Sequence, residues 1–380
     1  MAIITYRQAL HDTLRDEMNR DPNILLMGEE IGVFEGSYKI TAGLLGEFGE
    51  ARVRDTPIAE EGFVGAAIGA AMLGLRPVVE IMTINFIMLA IDQIVNHAAK
   101  IHYMFGGQST VPLVIRTPGG GGQQLAATHS QNPEVWFAHV PGLKVLAPST
   151  PADARGLLKA AIRDDDPVIF LEHLALYNSK GEVPDDTEDD VIPIGVADVK
   201  REGKDVTIVS YSRMASVALT VAEQLANDFG IDVEVIDLRS LRPLDRETIV
   251  NSVKKTNRAV VFEEDWRSYG IGAEIAATIQ EHAFDYLDAP VRRIAAAEVA
   301  LPYAKVMELA ALPSAQHLID AVRATVAASG GARRAGGGAN ANGARTAGPS
   351  ANGASENGAS ANGTSGAVEA GAGGGVAWQR

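Results

Sequence analysis

The first predicted element is a helix at the start of the chain. Apolar side chains recur there at every fourth position, at Tyr6, Leu10, Leu14 and Met18. This spacing places them on one face of an α-helix, and we expect that face to lie on a sheet. Thr5 precedes the pattern and Gln8 stands three residues later, which is the spacing of a capping box at a helix N-terminus.

The first half of the chain then alternates between short apolar runs and helical patterns. Strand-like runs rich in β-branched residues occur at 23–27, 77–84, 113–115, 143–146 and 168–171. Helical patterns occur at 61–73, 86–103 and 152–162, the last with Thr150 as N-cap and Pro151 at its first position. This alternation predicts a buried, mostly parallel sheet.

A second α/β unit follows an acidic connection. The periodicity fails between Tyr177 and Lys204, where Asp185, Asp186, Glu188, Asp189 and Asp190 are typical of a solvated linker. Strand patterns then appear at 206–210, 233–238 and 259–263, with helical patterns at 216–227 and 247–255. We therefore expect two α/β domains with mostly parallel sheets, at 1–180 and 204–328, joined by a linker at 181–203.

The last segment, 329–380, is predicted to be a disordered tail. Of the 50 residues from 331 to 380, 28 are Gly or Ala, and apolar residues that could form a core are nearly absent. Three Asn-Gly-centred pentads at 351–365 are too short and polar to be folding repeats. The pattern assigns this segment no role.

Composition excludes several classes of partner. The formal net charge of −15 repels phosphate backbones and anionic lipid surfaces, so we expect neither nucleic acid nor a membrane as a partner. No apolar run reaches the roughly 18 residues that a membrane span requires. The absence of cysteine excludes disulfides and thiolate metal sites, and the start of the sequence lacks a targeting pattern, which together favour a cytoplasmic location.

Two segments of the first half carry candidate chemistry. Glu60 and Glu61 precede a helix rich in small residues, where they either bind a ligand or only offset the helix dipole. Phe86 follows a strand and could stack on a flat ring, although an aromatic residue at such a junction is more often part of the core. The chain has no HExxH or GxSxG motif.

A third candidate segment contains four consecutive glycines. The run Gly119–Gly122 follows a strand and could cradle an anion, but it matches neither the P-loop nor the dinucleotide-binding fingerprint. His129 follows in a polar loop, where an imidazole could move protons. A surface histidine without function is the equally supported alternative.

Nine ordered motifs between residues 3 and 327 resemble the β subunits of 2-oxo acid dehydrogenases, which are transketolase-like thiamine enzymes. They are Gly28-Glu29-Glu30, Thr56-Pro57-Ile58-Ala59-Glu60, Gly69-Ala70-Ala71-Met72 with Gly74-Leu75-Arg76-Pro77, Met82-Thr83 with Asn85-Phe86, Ala90-Ile91-Asp92-Gln93, His129-Ser130-Gln131, Pro141-Gly142-Leu143-Lys144-Val145, Val235-Ile236-Asp237-Leu238-Arg239 and Pro302-Tyr303-Ala304-Lys305. The resemblance implies a pyrimidine-binding domain followed by a transketolase C-terminal-like domain. Residues 82–86 and 303–305 look more like the pyruvate and acetoin branches than the branched-chain branch.

The resemblance also implies roles for single residues. Glu60 matches the carboxylate that hydrogen-bonds and exchanges a proton with the aminopyrimidine of thiamine diphosphate. Phe86 matches the aromatic side chain that packs on the pyrimidine, and Glu29 falls in a cofactor-binding motif. His129 matches the histidine expected to hold the 2-oxo acid carboxylate or the lipoyl group and to move protons.

A potassium site of similar proteins falls on five residues of this chain: Leu113, Ala161, Ile162, Asp164 and Asp166. Most of its ligands are backbone oxygens, which suit a hard cation. Asp166 stands where pyruvate-type relatives often have Asn. The resemblance therefore implies stronger potassium binding if the Asp166 carboxylate contributes, and no change if only its carbonyl does.

The absence of one motif implies a partner chain. Members of the resembled family hold the cofactor diphosphate through magnesium on a Gly-Asp-Gly motif, and this sequence has none. The resemblance thus implies an α subunit that supplies the magnesium-diphosphate site, an α2β2 heterotetramer, and docking to a dihydrolipoyl acyltransferase core. The expected reaction is oxidative decarboxylation of pyruvate, with an acetoin or branched-chain enzyme and a non-catalytic scaffold subunit as alternatives.

Overall fold

The computed structural model describes residues 1–184 and 190–335, with side chains to residue 328. Two halves, each built on a sheet, follow one another along the chain. The first half contains β1 Ala2–Thr5, α1 Tyr6–Arg20, β2 Ile24–Gly28, α2 Leu44–Phe48, β3 Val53–Asp55, α3 Glu60–Met72, β4 Arg76–Glu80, α4 Ala99–Met104, β5 Val114–Gly119, α5 Glu134–Ala138, β6 Lys144–Leu146, α6 Pro151–Arg163, β7 Val168–His173 and β8 Lys180–Val183. The second contains β9 Asp198–Arg201, β10 Val206–Ser210, α7 Ser212–Phe229, β11 Val233–Asp237, β12 Ser240–Arg242, α8 Arg246–Thr256, β13 Ala259–Trp266, α9 Ile271–Ala283, β14 Arg292–Ala296, α10 Lys305–Ala311 and α11 Ala315–Ala335.

The larger sheet has seven strands in the order β12-β6-β7-β5-β4-β2-β3. All neighbouring pairs run parallel except β12 with β6. The second sheet has five strands in the order β14-β13-β10-β11-β9, and only β9 runs antiparallel to its neighbour. The predicted fold class, two α/β units with mostly parallel sheets, is therefore confirmed.

Helix α1 begins and packs as its sequence predicts. The Thr5 hydroxyl oxygen accepts a hydrogen bond from the Gln8 N–H at 3.1 Å and caps the helix. The four apolar residues of the predicted face are buried with at most 1% exposure. This face packs against α6, which begins at Pro151 with Thr150 as its N-cap, as expected.

The predicted helix at 86–103 is wrong in its form. The segment begins with 3₁₀ turns at Ile84–Ala90, continues as a π-helical turn at Gln93–Ala98, and becomes α-helical only in α4. Apolar spacing of three to four residues is compatible with hydrogen bonds to i+3, i+4 or i+5, so the pattern does not distinguish these forms. Departures of this kind are frequent at functional sites.

The predicted linker contains strands at both ends. Strand β8 pairs antiparallel with β1, and β9 forms an edge of the second sheet. Most of the acidic stretch, 185–189, lies outside the described residues, as do the pentads at 351–365. Helix α11 continues to Ala335, beyond the predicted domain end at 328. Within the described residues, no helix is long and apolar enough to cross a membrane.

A buried ion triad fixes the centre of the larger sheet. Arg116 on β5 is 2% exposed and pairs with Glu80 at 2.9 Å and with Glu172 at 2.7 Å. The Tyr177 hydroxyl donates a further hydrogen bond to Glu172 at 2.6 Å. Burial raises the pKa of Glu172, whereas Arg116 and Tyr177 favour its charged form. The triad thus joins β4, β5 and β7 through their side chains.

Replacement of Arg116 by Met is expected to destabilise the chain strongly. The substitution leaves two carboxylates buried without their cation, which costs about 3–5 kcal/mol. Urea unfolding followed by circular dichroism measures the change. The control is Arg15→Met, which removes the exposed pair with Glu47 and should leave the midpoint unchanged. Equal midpoints for the two variants would show that the triad does not stabilise the sheet.

Candidate active site

Four predicted site residues follow neighbouring strands of the larger sheet. Strands β5, β4, β2 and β3 are adjacent and parallel, so their carboxyl ends meet at one edge. Glu29 follows β2, Glu60 follows β3, Phe86 follows β4 and His129 follows β5. Ligands of open α/β sheets bind at this edge. The topology therefore gathers these residues in one region, although they are far apart in sequence.

Glu60 is a buried acid at a helix N-terminus. It is the first residue of α3, its exposure is 3%, and no hydrogen bond or ion pair engages its carboxylate in the described part of the chain. The helix dipole stabilises an acid in the first turn, but the exposed Glu61 serves that purpose without desolvation. Burial of Glu60 therefore needs a reason beyond helix stability.

Glu29 is close enough to Glu60 for the two carboxylates to interact electrostatically. Its exposure is 5%, and its Oε1 atom has no hydrogen-bond donor among the described residues. Burial raises the pKa of the Glu29 carboxyl, and the charge on Glu60 raises it further. Glu29 thus retains its proton to a higher pH than an exposed glutamate.

Phe86 and His129 are in direct contact. Their ring centroids are 5.3 Å apart with an interplanar angle of 82°, an edge-to-face arrangement. Nδ1 of His129 shares a 2.9 Å hydrogen bond with the Thr128 hydroxyl, so Nε2 is the ring nitrogen left for a ligand. Both side chains are half-buried. The alternative of an isolated surface histidine is therefore disfavoured.

Buried polar atoms without partners accompany these residues. Oγ1 of Thr56, Oδ1 of Asn85 and Oγ of Ser130 lack hydrogen-bond partners among the described residues. Each belongs to a segment that carries a candidate residue, namely Glu60, Phe86 or His129. Buried polar groups normally have partners, and exceptions are frequent where a ligand binds. A carboxylate pair, an aromatic ring and unsatisfied polar atoms fit an aromatic heterocycle with ring nitrogens.

The glycine run binds carboxylates of the second half of the chain. The Gly121 N–H donates to Glu264 at 2.7 Å, and the Gly122 and Gln124 N–H groups donate to Glu308 at 2.9 and 3.2 Å. Gly120 has a φ of +92°, and a Cβ there would lie 2.1 Å from Nε2 of His173. The loop thus cradles an anion, as its glycines allow, but the anions come from the protein itself.

Glu264 on β13 joins the two halves. Besides Gly121, its carboxylate accepts from Asn132 at 3.3 Å, His173 at 3.1 Å and Arg213 at 3.2 Å. Burial alone would raise the pKa of Glu264, but His173, Arg213 and the Gly121 N–H lower it to about 2. Glu264 was not among the residues predicted from the sequence. The feature of the sequence that could have identified it is its position directly after the predicted strand at 259–263.

The five predicted potassium ligands surround the C-terminus of α6. Several of their carbonyls already accept hydrogen bonds: Val168 donates to Leu113, Asp164 to Ala161, and Arg76 to Ile162 and Asp164. Lys144 pairs with the carboxylates of Asp164 at 2.6 Å and Asp166 at 3.0 Å. Each carbonyl oxygen retains a second lone pair.

A large cavity lies elsewhere in the fold. Its volume is about 1120 Å³, and its lining consists of Ile91 and of side chains from the segments 133–139, 241–246 and 265–274. None of Glu29, Glu60, Phe86 and His129 lines it. In the described part of the chain, no group of three His, Cys, Asp or Glu side chains is arranged to hold a metal ion. The four candidate residues therefore belong to a region separate from this cavity.

Comparisons with known proteins agree with this architecture. Residues 2–180 match the transketolase pyrimidine binding domain, and residues 195–318 match the transketolase C-terminal domain. A solved structure titled "Split gene transketolase, inactive beta4 tetramer" has a TM-score of 0.70 at 23% identity, over 86% of this chain and 99% of that one, which shows the fold. The chain is thus a transketolase-type protein with both of these domains.

Curated relatives identify the family more narrowly. The chain is 53% identical to pyruvate dehydrogenase E1 component subunit beta-2, mitochondrial, of Oryza sativa subsp. japonica, over 84% of this chain and 85% of that protein. It is 52% identical to the subunit beta of Dictyostelium discoideum, over 84% and 90%, and of Rickettsia felis, over 84% and 97%. The chain belongs to the family of pyruvate dehydrogenase E1 component β subunits, so the predicted family is confirmed.

The raised pKa of Glu29 leads to a prediction about stability and pH. A raised acid pKa means that the folded state binds the proton more tightly, so the stabilisation is complete below the unfolded pKa of about 4.3. It is lost as pH rises through the folded value. Glu29→Gln should therefore gain free energy of unfolding relative to the unmodified chain as pH rises from about 4 to 8. Denaturation midpoints across this range measure the difference.

The matched control for this experiment is Glu30→Gln, because Glu30 is exposed and adjacent. Its midpoint should follow that of the unmodified chain at every pH. If Glu29→Gln also follows the unmodified chain, Glu29 has no raised pKa and its coupling to Glu60 is absent.

Proposed function

We propose that this chain is the β subunit of a thiamine-diphosphate-dependent pyruvate dehydrogenase. With an α subunit, it catalyses oxidative decarboxylation of pyruvate, releases CO2, and transfers the acetyl group to lipoyl-lysine, whose disulfide accepts the two electrons. The observation that carries the proposal is the buried carboxylate of Glu60, which no side chain of the described residues engages. The named relatives supply the substrate class.

Glu60 binds the aminopyrimidine ring of the cofactor through a ring nitrogen. When bound, thiamine diphosphate supplies the electron sink for decarboxylation. Glu60 holds a proton at that nitrogen and exchanges it, and this role needs an acid with little competition from water. Glu29 binds the cofactor beside Glu60, and burial together with the Glu60 charge raises the pKa of its carboxyl.

Phe86 and His129 form the other side of the site. Phe86 packs on the pyrimidine and excludes water from it. His129 uses Nε2 to hold the carboxylate of the 2-oxo acid or the lipoyl group and to move a proton, because Thr128 engages Nδ1. The edge-to-face contact with Phe86 restricts the orientation of the imidazole ring.

An α subunit supplies the rest of the site. The sequence contains no Gly-Asp-Gly motif, so the magnesium-diphosphate half comes from another chain. Apolar residues beside the candidate positions are exposed: Ile58 at 84%, Val33 at 83% and Leu89 at 62%. An exposed apolar surface next to a polar cleft is typical of a protein interface. The proposed assembly is an α2β2 heterotetramer that docks on a dihydrolipoyl acyltransferase core.

A potassium ion near the C-terminus of α6 completes the proposal. The last carbonyls of a helix lack intrahelical donors and attract cations. Asp164, Asp165 and Asp166 carry three negative charges there, and Arg76 and Lys144 neutralise two of them. Because Lys144 engages the Asp166 carboxylate, the proposed ligand is the Asp166 carbonyl.

Glu60→Gln should abolish turnover by the reconstituted αβ enzyme. Glutamine can hydrogen-bond a ring nitrogen but cannot exchange its proton, and loss of such a proton transfer lowers kcat by about 10² to 10⁴-fold. The measurement is reductive acetylation of a lipoyl domain with pyruvate, compared with acetoin and branched-chain 2-oxo acids. Glu61→Gln, with its exposed side chain in the same helical turn, should retain full activity.

Unchanged turnover by Glu60→Gln would contradict the proposed role and favour a non-catalytic scaffold. Tight binding of thiamine diphosphate by this chain without an α subunit would contradict the shared site. Preference for a substrate other than pyruvate would leave the roles of the residues intact and change the branch of the family.

Potassium should raise the melting temperature of the chain more than sodium or choline at equal ionic strength. The reason is that a ring of carbonyl oxygens selects a cation by size, whereas screening does not. Asp166→Asn should retain the same potassium-dependent shift, because the substitution leaves the backbone carbonyl of residue 166 in place. Equal melting temperatures in the three salts would exclude the site, and loss of the shift in Asp166→Asn would assign the ligand to the carboxylate.

A further inference from the structure

Helix α10 exposes apolar side chains and buries an acidic one. Val306, Met307 and Leu309 are exposed at 81%, 60% and 52%, whereas Glu308 is fully buried. A short surface helix ordinarily turns its apolar residues inward and its acids outward. Burial of an acid needs compensating donors, since desolvation of a carboxylate is costly. The burial of Glu308 therefore depends on what its carboxylate binds.

The hydrogen-bond donors to this carboxylate, among the described residues, are two backbone N–H groups of the glycine-rich loop. Oε1 of Glu308 accepts from Gly122 at 2.9 Å and from Gln124 at 3.2 Å, and Oε2 accepts from Gln124 at 3.2 Å. No lysine or arginine within the described part of the chain forms an ion pair with it. The binding is directed at the loop backbone, whose conformation it fixes.

The chain between this loop and His129 has an unusual backbone conformation. Gln124 and Ala126 have φ angles of +55° and +67°, in the left-handed region that residues with a Cβ rarely adopt. The Ala126 carbonyl accepts the backbone N–H of His129 at 3.2 Å. A continuous path thus runs from Glu308 through Gln124 and Ala126 to the backbone of His129.

Glu264 holds the two ends of the same segment. Its Oε1 atom accepts from Gly121 before the strained residues and from Asn132 after His129. Glu264 also binds His173 and Arg213, so its removal would disturb the junction between the halves. The Glu308 carboxylate accepts no hydrogen bond from any other described residue. Substitution of Glu308 therefore tests the effect of the loop more directly than substitution of Glu264.

We propose that Glu308 is a positioning residue of the active site: its buried carboxylate holds the 120–126 loop of the first half and thereby orients His129. The inference rests on the proposed function of His129. It means that the second half of the chain takes part in catalysis through the loop, without contact between Glu308 and the substrate. The position of His129 depends on a side chain at residue 308 that is long enough to place an acceptor oxygen within hydrogen-bond distance of two N–H groups. The negative charge of that side chain is less important.

Two substitutions of Glu308 separate reach from charge in the reconstituted αβ enzyme. Glu308→Gln keeps the length and one acceptor oxygen, which serves both N–H groups, so kcat/KM should fall by no more than about fivefold. Glu308→Asp keeps the charge but is one methylene shorter, so kcat/KM should fall by about 10²-fold, the scale of a 1 Å misplacement. The reverse order of the two variants would overturn the proposal.

A double-mutant cycle with His129 tests whether Glu308 acts through the histidine. Glu308→Ala should lower kcat/KM by about 10²-fold in the unmodified enzyme and should cause no further loss in a His129→Ala enzyme. Residues that act as one unit lose their effect together. Independent, multiplicative losses would show that Glu308 supports only the general stability of the fold and would overturn the proposal.

Amide hydrogen exchange gives a measurement that does not require turnover. In the full-length chain, Glu308→Ala should speed exchange of the Gly122 and Gln124 amides about tenfold, the scale of one lost hydrogen bond. Glu308→Gln should leave the exchange of these two amides unchanged. The amides of β10 should exchange at the same rate in every variant. If the unmodified αβ enzyme were inactive, the proposed function would fail while exchange still tested the loop. Unchanged exchange in Glu308→Ala would overturn the proposal in either case.

Discussion

The hydrogen bonds of the buried Glu264 carboxylate join the two halves of the chain at the carboxyl edge of the first sheet. The carboxylate lies on the second sheet and accepts hydrogen bonds from a glycine loop, an asparagine, a histidine and an arginine. Because these donors lower its pKa to about 2, the charge persists in a site where burial opposes it. The carboxyl edge of the first sheet is therefore shaped by an ion that belongs to the second.

Buried carboxylates in this fold fall into two groups. Glu80, Glu172, Glu264 and Glu308 have donors or cations, so each of them stabilises a particular contact. Glu29 and Glu60 are equally buried but lack such partners in the described part of the chain. Sites that leave local requirements unmet are expected where a protein acts on another molecule. The contrast distinguishes the candidate site from the surrounding structural acids.

The local pattern of apolar residues was enough to predict the central strands of the sheets and insufficient to predict the edge strands. Alternation identified the strands from β2 to β7 that lie in the sheet interior, because buried parallel strands are continuous apolar runs. It missed β1, β3, β8, β9, β12 and β14, which are short and lie at sheet edges or in the two-stranded β1–β8 pair. The burial of Glu308 was likewise invisible, because it arises from packing against a loop far upstream. The grouping of Glu29, Glu60, Phe86 and His129 came from the family resemblance, and their chemical roles stay predictions.

Strand β12 connects the order of synthesis to the order of folding. Ser240 and Arg242 pair with Leu146 and Val145, so a segment of the second half covers the open edge of the first sheet. During translation, the first half emerges with the backbone of β6 uncovered until more than ninety further residues have been made. A bare edge of this kind invites pairing with other nascent chains. The two halves consequently share one sheet, and separating them at the linker would leave each with an incomplete surface.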